Sequence, residues 1–402
     1  MRLSRPIAVG TRIALKSKIR PYKRIHWYSF DGGLVLLDKR TGRLFAYNDS
    51  AAVVWRALVE GVDAVQALAD RYGIPPDTAS QGATAVIEHW DSFGLLSSIR
   101  KNPKTVAACG ETAAAVVLDR SNEDLRADYR IGGRLFRIAV SDPDVAERVV
   151  ALFRNFEVEA TGEDAPERLE VLHKAQEDAF VLKHDGAEIL RVHSVAEITG
   201  ALFQSVLSRI HSNERWLAVI HGGSVSSGGR AVLLPGASGS GKSTLGAFLV
   251  ARGFDYLCDD MLAVTEDGRV ANWPIPISIK EGSWKALAPY LPQLDETPAE
   301  FAWGRKMKLL STSPAAWEAK SAPATVIVFP KFARSAGTGQ LVRLKPLEAL
   351  ERLISDRIWL GYPLHSRSVQ RFLRWLETIP AYALTYSNFD NVERLVGEAL
   401  QP

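Results

Sequence analysis

The amino-acid sequence predicts a mixed α/β domain preceded by a small α+β module of the winged-helix type. Strand and helix patterns alternate through residues 121–402, which is typical of an α/β domain. Three short apolar runs followed by three helical patterns fill residues 25–98. Residues 99–120 show no clear pattern and are predicted to be a linker. Residues 1–24 contain eight Lys or Arg and no acid, so they form a predicted basic N-terminal arm.

The overall composition is that of an ordinary soluble globular protein. Of the 402 residues, 47% are hydrophobic and 24% are charged, and the net charge is +3. No apolar run approaches the roughly 18 residues that a membrane span needs, and the first residues lack a secretory apolar core. The two cysteines make no metal-type cluster. We therefore expect a cytoplasmic protein without stable membrane insertion, whose basic arm is either a solvated tail or a contact for an acidic partner.

The small module begins with a predicted three-stranded sheet. Two apolar-rich runs, Ile25 to Phe30 and Gly33 to Asp38, are separated by Asp31-Gly32, which is a hairpin signal. Gly42 to Tyr47 has the pattern of a third strand.

Three helices are predicted to follow this sheet. The first helix begins after the capping side chains that start at Asn48. The second runs from about Asp63 to Tyr72 and stops at Gly73, and the third follows Pro76.

The larger domain also begins with clear local signals. Arg134 to Val140 predicts a strand, and Asp142 is placed to cap the helix that follows. Ser194 begins a capping-box pattern for another helix. Trp216 to Ile220 predicts a strand that ends at His221.

A glycine-rich loop lies between a buried-strand pattern, Ala231 to Leu234, and a predicted helix, Thr244 to Ala251. The loop has the G-x-x-x-x-G-K-S pattern of a phosphate-binding P-loop, in the strand–loop–helix context that the pattern requires. The predicted nucleotide-binding residues are Gly236, Ala237, Ser238, Gly239, Ser240, Gly241, Lys242, Ser243 and Thr244.

Each residue type in this loop has a physical role in binding phosphate. The glycines let the backbone turn its N–H groups toward phosphate oxygens, and the helix N-terminus adds partial positive charge. Lys242 would neutralise the terminal phosphates, and the Ser243 hydroxyl would coordinate Mg²⁺. The sequence therefore predicts binding of ATP, or another nucleoside triphosphate, with Mg²⁺. Hydrolysis, transfer and sensing stay open from this motif alone.

Two adjacent acids follow the next predicted strand. Asp259 and Asp260 come 17 and 18 residues after Lys242, so a return of the chain would bring them to the phosphate site. One could hold Mg²⁺, and the other could accept a proton from an attacking hydroxyl. The alternative is a solvated turn, because acids are common in turns.

The segment from Ala231 to Asp260 resembles the catalytic core of HPr serine kinase/phosphorylase. The likeness rests on the strand, the G-A-S-G-S-G-K-S-T loop, Arg252-Gly253 and the Asp-Asp pair, with an upstream His-Gly at His221. It implies that Asp259 is a general base or acid and that Asp260 assists at the metal beside Ser243. It also implies that His221 orients the phosphate or the catalytic carboxylate, and that Lys242 acts on the phosphates.

The segment from Trp273 to Gly282 differs from the signature of HPr kinases. It is proline-rich and resembles HPr-kinase-related proteins of peptide-modifying gene clusters. Lys280 and the cluster from Arg305 to Lys308 could supply positive charge to a transferring phosphate. For the cluster, the alternative is a basic surface that only contacts solvent. Trp273, Trp284 and Trp303 are expected in core packing rather than in stacking on a base.

Residues 25–98 are similar to PqqD, a small chaperone that binds peptides which are made on the ribosome and then modified. The likeness rests on Gly42 to Asn48, on Ser50 to Trp55 and on Phe93 to Leu96. It implies capture of a leader peptide by addition of a strand to a sheet edge beside the third helix. A DNA-binding winged helix is disfavoured, because the module has five basic and nine acidic residues, a net charge of −4.

Together these features predict an ATP-dependent kinase that phosphorylates a hydroxyl of a precursor peptide. Two alternatives stay open: a non-catalytic ATP-binding switch or peptide chaperone, and a kinase for a small molecule. A homo-oligomer is compatible with the sequence, and the phosphate acceptor is left open.

Overall fold

The computed structural model describes residues 19–97, 125–159, 165–211, 215–273, 275–302, 305–311, 321–337, 339–356, 358–361 and 364–401. Residues 1–18 of the predicted arm, and the predicted linker at 99–120, lie outside these ranges. The described residues divide into two compact units. One contains residues up to 97 with 364–370, and the other contains residues 125–361 with 371–401. No helix among the described residues is long and apolar enough to cross a membrane.

The first unit holds a three-stranded antiparallel sheet, a two-stranded ribbon and three helices among its described residues up to 97. In the sheet, the central strand β3 pairs with β2 on one side and with β4 on the other, and the ribbon pairs β1 with β5. The elements are β1 Arg20–Pro21, β2 Ile25–Phe30, β3 Gly33–Asp38, β4 Arg43–Tyr47, α1 Asp49–Glu60, α2 Ala64–Tyr72, α3 Pro76–Ser92 and β5 Leu96–Ser97.

Local chemistry explains why these elements begin and end where the sequence predicts. Asp31 and Gly32 both take positive φ angles, as the tight turn between β2 and β3 requires. The Asn48 side chain accepts a hydrogen bond from the Ala51 N–H at the start of α1. Gly73 ends α2 in the left-handed conformation. The predicted hairpin, third strand and three helices are confirmed.

The core of the first unit is centred on two tryptophans. Trp55 of α1 and Trp90 of α3 are fully buried, and their rings meet edge to face with centroids 4.9 Å apart. Every residue of β3 is buried, and Leu34 and Leu36 of this strand belong to the core that the three helices form.

The second unit begins with a five-stranded sheet in the order β10-β9-β8-β7-β6. Its neighbours are antiparallel except for β7 and β8, which are parallel. The elements of this part are β6 Leu125–Ile131, β7 Arg134–Val140, α4 Pro143–Phe153, β8 Glu167–Lys174, β9 Ala179–His184, β10 Ala187–Val192 and α5 Val195–Ile210.

The rest of the second unit is built around a nine-stranded mixed sheet and a three-stranded sheet. The long path of the mixed sheet is β12-β11-β14-β15-β19-β22-β20, with β13 and β21 also paired to β11, and the small sheet has the order β16-β18-β17. The strands are β11 Trp216–Ser227, β12 Arg230–Pro235, β13 Asp255–Cys258, β14 Met261–Thr265, β15 Arg269–Val270, β16 Ile277–Lys280, β17 Ala299–Ala302, β18 Arg305–Leu310, β19 Ala322–Phe332, β20 Gln340–Leu344, β21 Ile358–Trp359 and β22 Ala381–Tyr386. The helices are α6 Lys242–Ala251, α7 Glu281–Leu287, α8 Gln293–Glu296, α9 Pro346–Asp356, α10 Ser366–Thr378 and α11 Val392–Ala399. Residues 366–370 of α10 belong to the first unit.

One strand boundary differs from the sequence prediction. The strand expected to end at His221 continues as β11 to Ser227. Two glycines follow His221. Because glycine has a low strand propensity, the sequence does not indicate that the strand continues beyond His221. Both are needed for packing: a Cβ at Gly222 would lie 2.9 Å from the Leu234 carbonyl oxygen, and one at Gly223 would lie 3.2 Å from the Cys258 carbonyl oxygen.

Candidate functional site

The glycine-rich loop joins β12 to α6 and carries three glycines with positive φ angles. Gly236, Gly239 and Gly241 have φ angles of 150°, 89° and 100°. A Cβ at Gly241 would lie 2.6 Å from the Tyr386 hydroxyl, so this position has no room for a side chain. Gly241 directly precedes the first residue of α6. The loop therefore ends at a helix N-terminus, where backbone N–H groups are free to bind an anion.

The Lys242 side chain folds back against the loop. Its Nζ donates hydrogen bonds to the carbonyl oxygens of Gly236, at 2.5 Å, and Ala237, at 3.3 Å. Only 6% of the residue is exposed. Burial lowers the pKa of its ammonium group, and the negative charges of nearby aspartates partly offset this by raising it. The ammonium group thus lies inside the loop.

Asp259, which follows β13, is almost fully buried beside the start of α6. Its Oδ1 accepts a hydrogen bond from the Ser243 hydroxyl at 3.1 Å, and its Oδ2 accepts one from the Ser278 N–H at 3.3 Å. Burial, and then the charge of Asp260, raise the pKa of Asp259 to about 7, while the bond from Ser243 opposes the rise. A cation placed beside Asp259 would therefore favour the ionised form of its carboxyl group.

Asp260 occupies a different environment from its neighbour. Its backbone has a φ angle of 59°, and its side chain is 43% exposed. Desolvation raises the pKa of Asp260, but the adjacent His221, together with the charges of Lys242 and Lys280, brings it below its usual value. Asp260 is therefore the ionised carboxylate that faces the open part of the site.

His221 lies between two carboxylates. Its Nε2 is 3.6 Å from Asp260 Oδ1, and its Nδ1 is 3.1 Å from both carboxylate oxygens of Asp356. The adjacent carboxylates of Asp260 and Asp356 raise the pKa of His221 despite its partial burial. Asp356 was not predicted from the sequence; it is the last residue of α9 and lies 135 positions from His221. No motif marks it.

A cavity of about 460 Å³ opens in front of these groups. The predicted residues Ser238, Gly239, Gly241 to Thr244, His221 and Asp260 line it, whereas Gly236, Ala237, Ser240 and Asp259 are not among its described lining residues. Further cations and apolar side chains complete its wall: Arg148, Leu152, Phe203, Trp273, Ile275, Lys280, Arg305 and Met307.

The basic residues downstream of the acids divide between the cavity and the surface. Lys280 Nζ is 3.2 Å from the Ser238 hydroxyl, and Arg305 also lines the cavity. Lys306 instead pairs with Glu281 at 3.2 Å, and Lys308 donates to the Leu294 carbonyl oxygen at 2.6 Å. Only part of the predicted basic cluster can therefore act at the cavity.

The tryptophans of this region serve mainly in packing. Trp273 is 1% exposed, and its ring meets Phe153 edge to face with centroids 6.2 Å apart. Trp284 is half-buried, with Lys308 Nζ 4.9 Å from its ring centroid. Trp303 lies outside the described residues.

The oxygen atoms at the start of α6 fit a magnesium ion. Within the described ranges, no cluster of three or more His, Cys, Asp or Glu side chains is arranged to hold a metal. Mg²⁺ does not require such a cluster, since it commonly takes one or two carboxylates together with water and phosphate oxygens. The Ser243 hydroxyl and the Asp259 carboxylate, already 3.1 Å apart, supply oxygen donors of that kind.

Comparison with known proteins identifies a family for part of the first unit. Residues 33–96 match the family model of coenzyme PQQ synthesis protein D (PqqD). The structure of TbiB1 in complex with the TbiA(beta) leader peptide is similar at 20% identity and a TM-score of 0.20, covering 20% of this chain and 99% of that chain. Lasso peptide synthetase B1, complexed with the leader peptide, is similar at 26% identity and a TM-score of 0.19, covering 20% of this chain and 98% of that chain. A comparison with curated proteins gives no match. The chain thus has a mixed α/β fold that carries a PqqD-like domain near its N-terminus.

Proposed function

We propose that the protein is an ATP-dependent kinase that phosphorylates a hydroxyl of a ribosomally made precursor peptide, which its PqqD-like domain captures. The observation that carries the kinase part is that the lysine of the glycine-rich loop, a helix N-terminus and Asp260 line one cavity, while Asp259 is hydrogen-bonded to Ser243 in its wall. Phosphoryl transfer needs this combination, because its catalysis consists mainly of positioning and charge stabilisation.

The nucleotide phosphates would bind in the loop between β12 and α6. The backbone N–H groups at the start of α6 and the Lys242 ammonium group would hold the phosphate oxygens. Ser243 and Asp259 would hold Mg²⁺, which neutralises charge on the phosphates when it is bound. The Lys280 side chain, placed beside Ser238, would add a second cation.

The transfer step requires a group that accepts the hydroxyl proton. The acceptor oxygen forms a bond to the γ-phosphorus, the bond from that phosphorus to the β–γ bridging oxygen breaks, and ADP leaves with the electron pair. We assign the proton to Asp260, because its partly exposed carboxylate lines the cavity whereas Asp259 is buried against Ser243. This assignment exchanges the roles that the resemblance to HPr kinase implied for the two acids.

The peptide would bind to the edge of the sheet in the PqqD-like domain. Strand β4 pairs only with β3 among the described strands, so its other edge is open. Aromatic side chains connect this strand to α3: Phe45 meets Phe93 with centroids 5.4 Å apart, and Tyr47 meets His89 at 5.9 Å. An open edge beside apolar side chains is suited to an extended peptide that adds a strand.

A pair of matched variants tests this groove. Phe93 is 43% exposed beside β4, whereas Trp27 is 40% exposed on β2, at the opposite edge of the sheet. We expect Phe93→Ala to weaken binding of the precursor's leader segment about tenfold in calorimetry, which corresponds to about 1.4 kcal/mol, because aromatic side chains are enriched among the residues whose truncation most weakens binding. Trp27→Ala should bind the leader as the wild type does. Equal weakening in both variants, or in neither, would contradict the assignment of the β4 edge.

Two alternatives are kept because the P-loop alone does not decide between them. A non-catalytic ATP-binding switch or chaperone would bind both ligands and leave no phosphate on the peptide. A small-molecule kinase would transfer phosphate without any dependence on the PqqD-like domain. The test is recovery of phosphate from ATP on the precursor peptide, which neither alternative produces.

A further inference from the structure

An exposed aromatic side chain lies beside the glycine-rich loop. Phe332 is the last residue of β19, and 48% of it is exposed. Its backbone N–H donates a hydrogen bond to the Ser240 carbonyl oxygen at 3.1 Å. Its Cβ would lie 3.7 Å from a Cβ at Gly241. Phe332 is therefore fixed against the loop that would hold the phosphates.

The sheet topology places Phe332 at the edge where the loop begins. Strand β19 pairs in parallel with both β12 and β22, so the carboxyl ends of the three strands lie at one edge of the sheet. The loop follows β12, Phe332 ends β19, and Tyr386 ends β22. In open α/β sheets, ligands bind in the crevice outside the carboxyl ends of the strands. A nucleotide whose phosphates lie in the loop can therefore place its base over this edge.

The buried ring of Tyr386 supports the Phe332 side chain. The two residues are register partners at the ends of their strands, and their rings meet edge to face with centroids 5.8 Å apart. The Tyr386 hydroxyl donates a hydrogen bond to the Gly241 carbonyl oxygen at 3.3 Å. The Phe332 ring thus rests on a side chain that is itself bonded to the loop, and part of its surface stays open. An aromatic ring of this kind can stack on the face of any nucleobase.

The cavity in front of Asp260 offers no comparable aromatic surface in its described lining. The large aromatic residues of that lining are Phe203 and Trp273, which are only 9% and 1% exposed. Phe332 is not among the described lining residues. A base bound at Phe332 would therefore leave the cavity to the γ-phosphate and the acceptor hydroxyl.

We propose that Phe332 is a stacking platform for the base of a nucleoside triphosphate whose phosphates bind in the glycine-rich loop. The proposal rests on the nucleotide-binding part of the proposed function and does not require phosphate transfer. Stacking uses the face of the base and reads none of its hydrogen-bonding groups, so the platform accepts adenine and guanine alike. Phe332 therefore sets how much the base adds to the affinity, and not which base is chosen.

A comparison of ATP with its bare phosphate chain tests the platform. Calorimetry on the full chain would measure the binding of ATP and of inorganic tripolyphosphate, each with Mg²⁺. We expect Phe332→Ala to weaken ATP binding about tenfold, because loss of an aromatic stacking partner has an effect of this size, and to leave tripolyphosphate binding within about twofold of wild type. Phe332→Leu keeps an apolar side chain without the aromatic face, so it should also weaken ATP binding. Phe332→Tyr, which keeps the ring, should retain the wild-type affinity for ATP.

A matched control truncates an exposed apolar side chain elsewhere on the same sheet. Val342 of β20 is 57% exposed, and Val342→Ala should change the binding of neither ligand. Unchanged ATP affinity in Phe332→Ala and Phe332→Leu would overturn the proposal. Equal weakening of ATP and tripolyphosphate in these variants would also overturn it, because Phe332 would then act only on the shape of the phosphate loop.

The failure of the platform and the failure of the kinase give different results. A protein that loses ATP affinity selectively in Phe332→Ala, but transfers no phosphate, would support the platform and contradict the proposed function. A protein that transfers phosphate and keeps full ATP affinity in Phe332→Ala would contradict the platform alone. A wild-type protein that binds neither ATP nor tripolyphosphate would contradict both.

Discussion

We expect ATP with Mg²⁺ to stabilise the wild-type protein, and we expect Lys242→Ala to abolish this stabilisation. Lys242 is the buried cation of the loop, and its loss would leave bound terminal phosphates without a fixed positive partner. A ligand at 100 times its dissociation constant stabilises the native state by about 2.7 kcal/mol. Thermal unfolding with and without ATP and Mg²⁺ should show this shift in the wild type and none in the variant.

A second lysine at the same cavity provides the control. Lys280 is half-buried and contacts the side chain of Ser238 rather than the backbone of the loop. Lys280→Ala should reduce the ATP-dependent shift without removing it. A Lys242→Ala protein that responds to ATP as the wild type does would refute the phosphate-binding role of the loop.

Asp260→Asn is expected to slow phosphate transfer about 10²–10⁴-fold while leaving ATP affinity close to wild type. Asparagine preserves the shape of the side chain but cannot accept the hydroxyl proton, and loss of a general base has effects of this size. The measurement is the single-turnover rate together with the dissociation constant of ATP. A fast transfer rate in Asp260→Asn would show that the proton goes elsewhere.

The neighbouring acid provides the comparison. Asp259→Asn removes the charge beside Ser243 and should mainly weaken binding of ATP in the presence of Mg²⁺, with less effect in its absence. If Asp259→Asn instead binds ATP with Mg²⁺ normally and loses transfer, then Asp259 is the base, as the resemblance to HPr kinase implied.

Local signals predicted the small elements of the first unit well. The cap at Asn48, the helix stop at Gly73 and the turn at Asp31-Gly32 act within a few residues of the structure that they specify. The PqqD-like character of this region was also evident from short motifs and is supported by the match over residues 33–96.

Long-range contacts could not be predicted in the same way. The continuation of β11 beyond His221 depends on the close approach of β12 and Cys258 to two glycines, which no sequence period shows. The contact between His221 and Asp356 joins positions 135 residues apart. The P-loop pattern predicted only the residues of its own loop. Asp259 and Asp260 are adjacent in sequence but differ in burial. The difference arises because Gly223, Ser243 and Ser278 pack around Asp259.

Transfer of labelled phosphate from γ-labelled ATP to a precursor peptide tests the central claim most directly. The full chain, ATP with Mg²⁺ and a precursor peptide that bears its leader would be mixed, and the label on the peptide would be counted after a single turnover. Our account predicts label on a peptide hydroxyl in the wild type, and label reduced about 10²–10⁴-fold in Asp260→Asn. ATP binding without any label on the peptide, in a protein that still binds the leader, would contradict it.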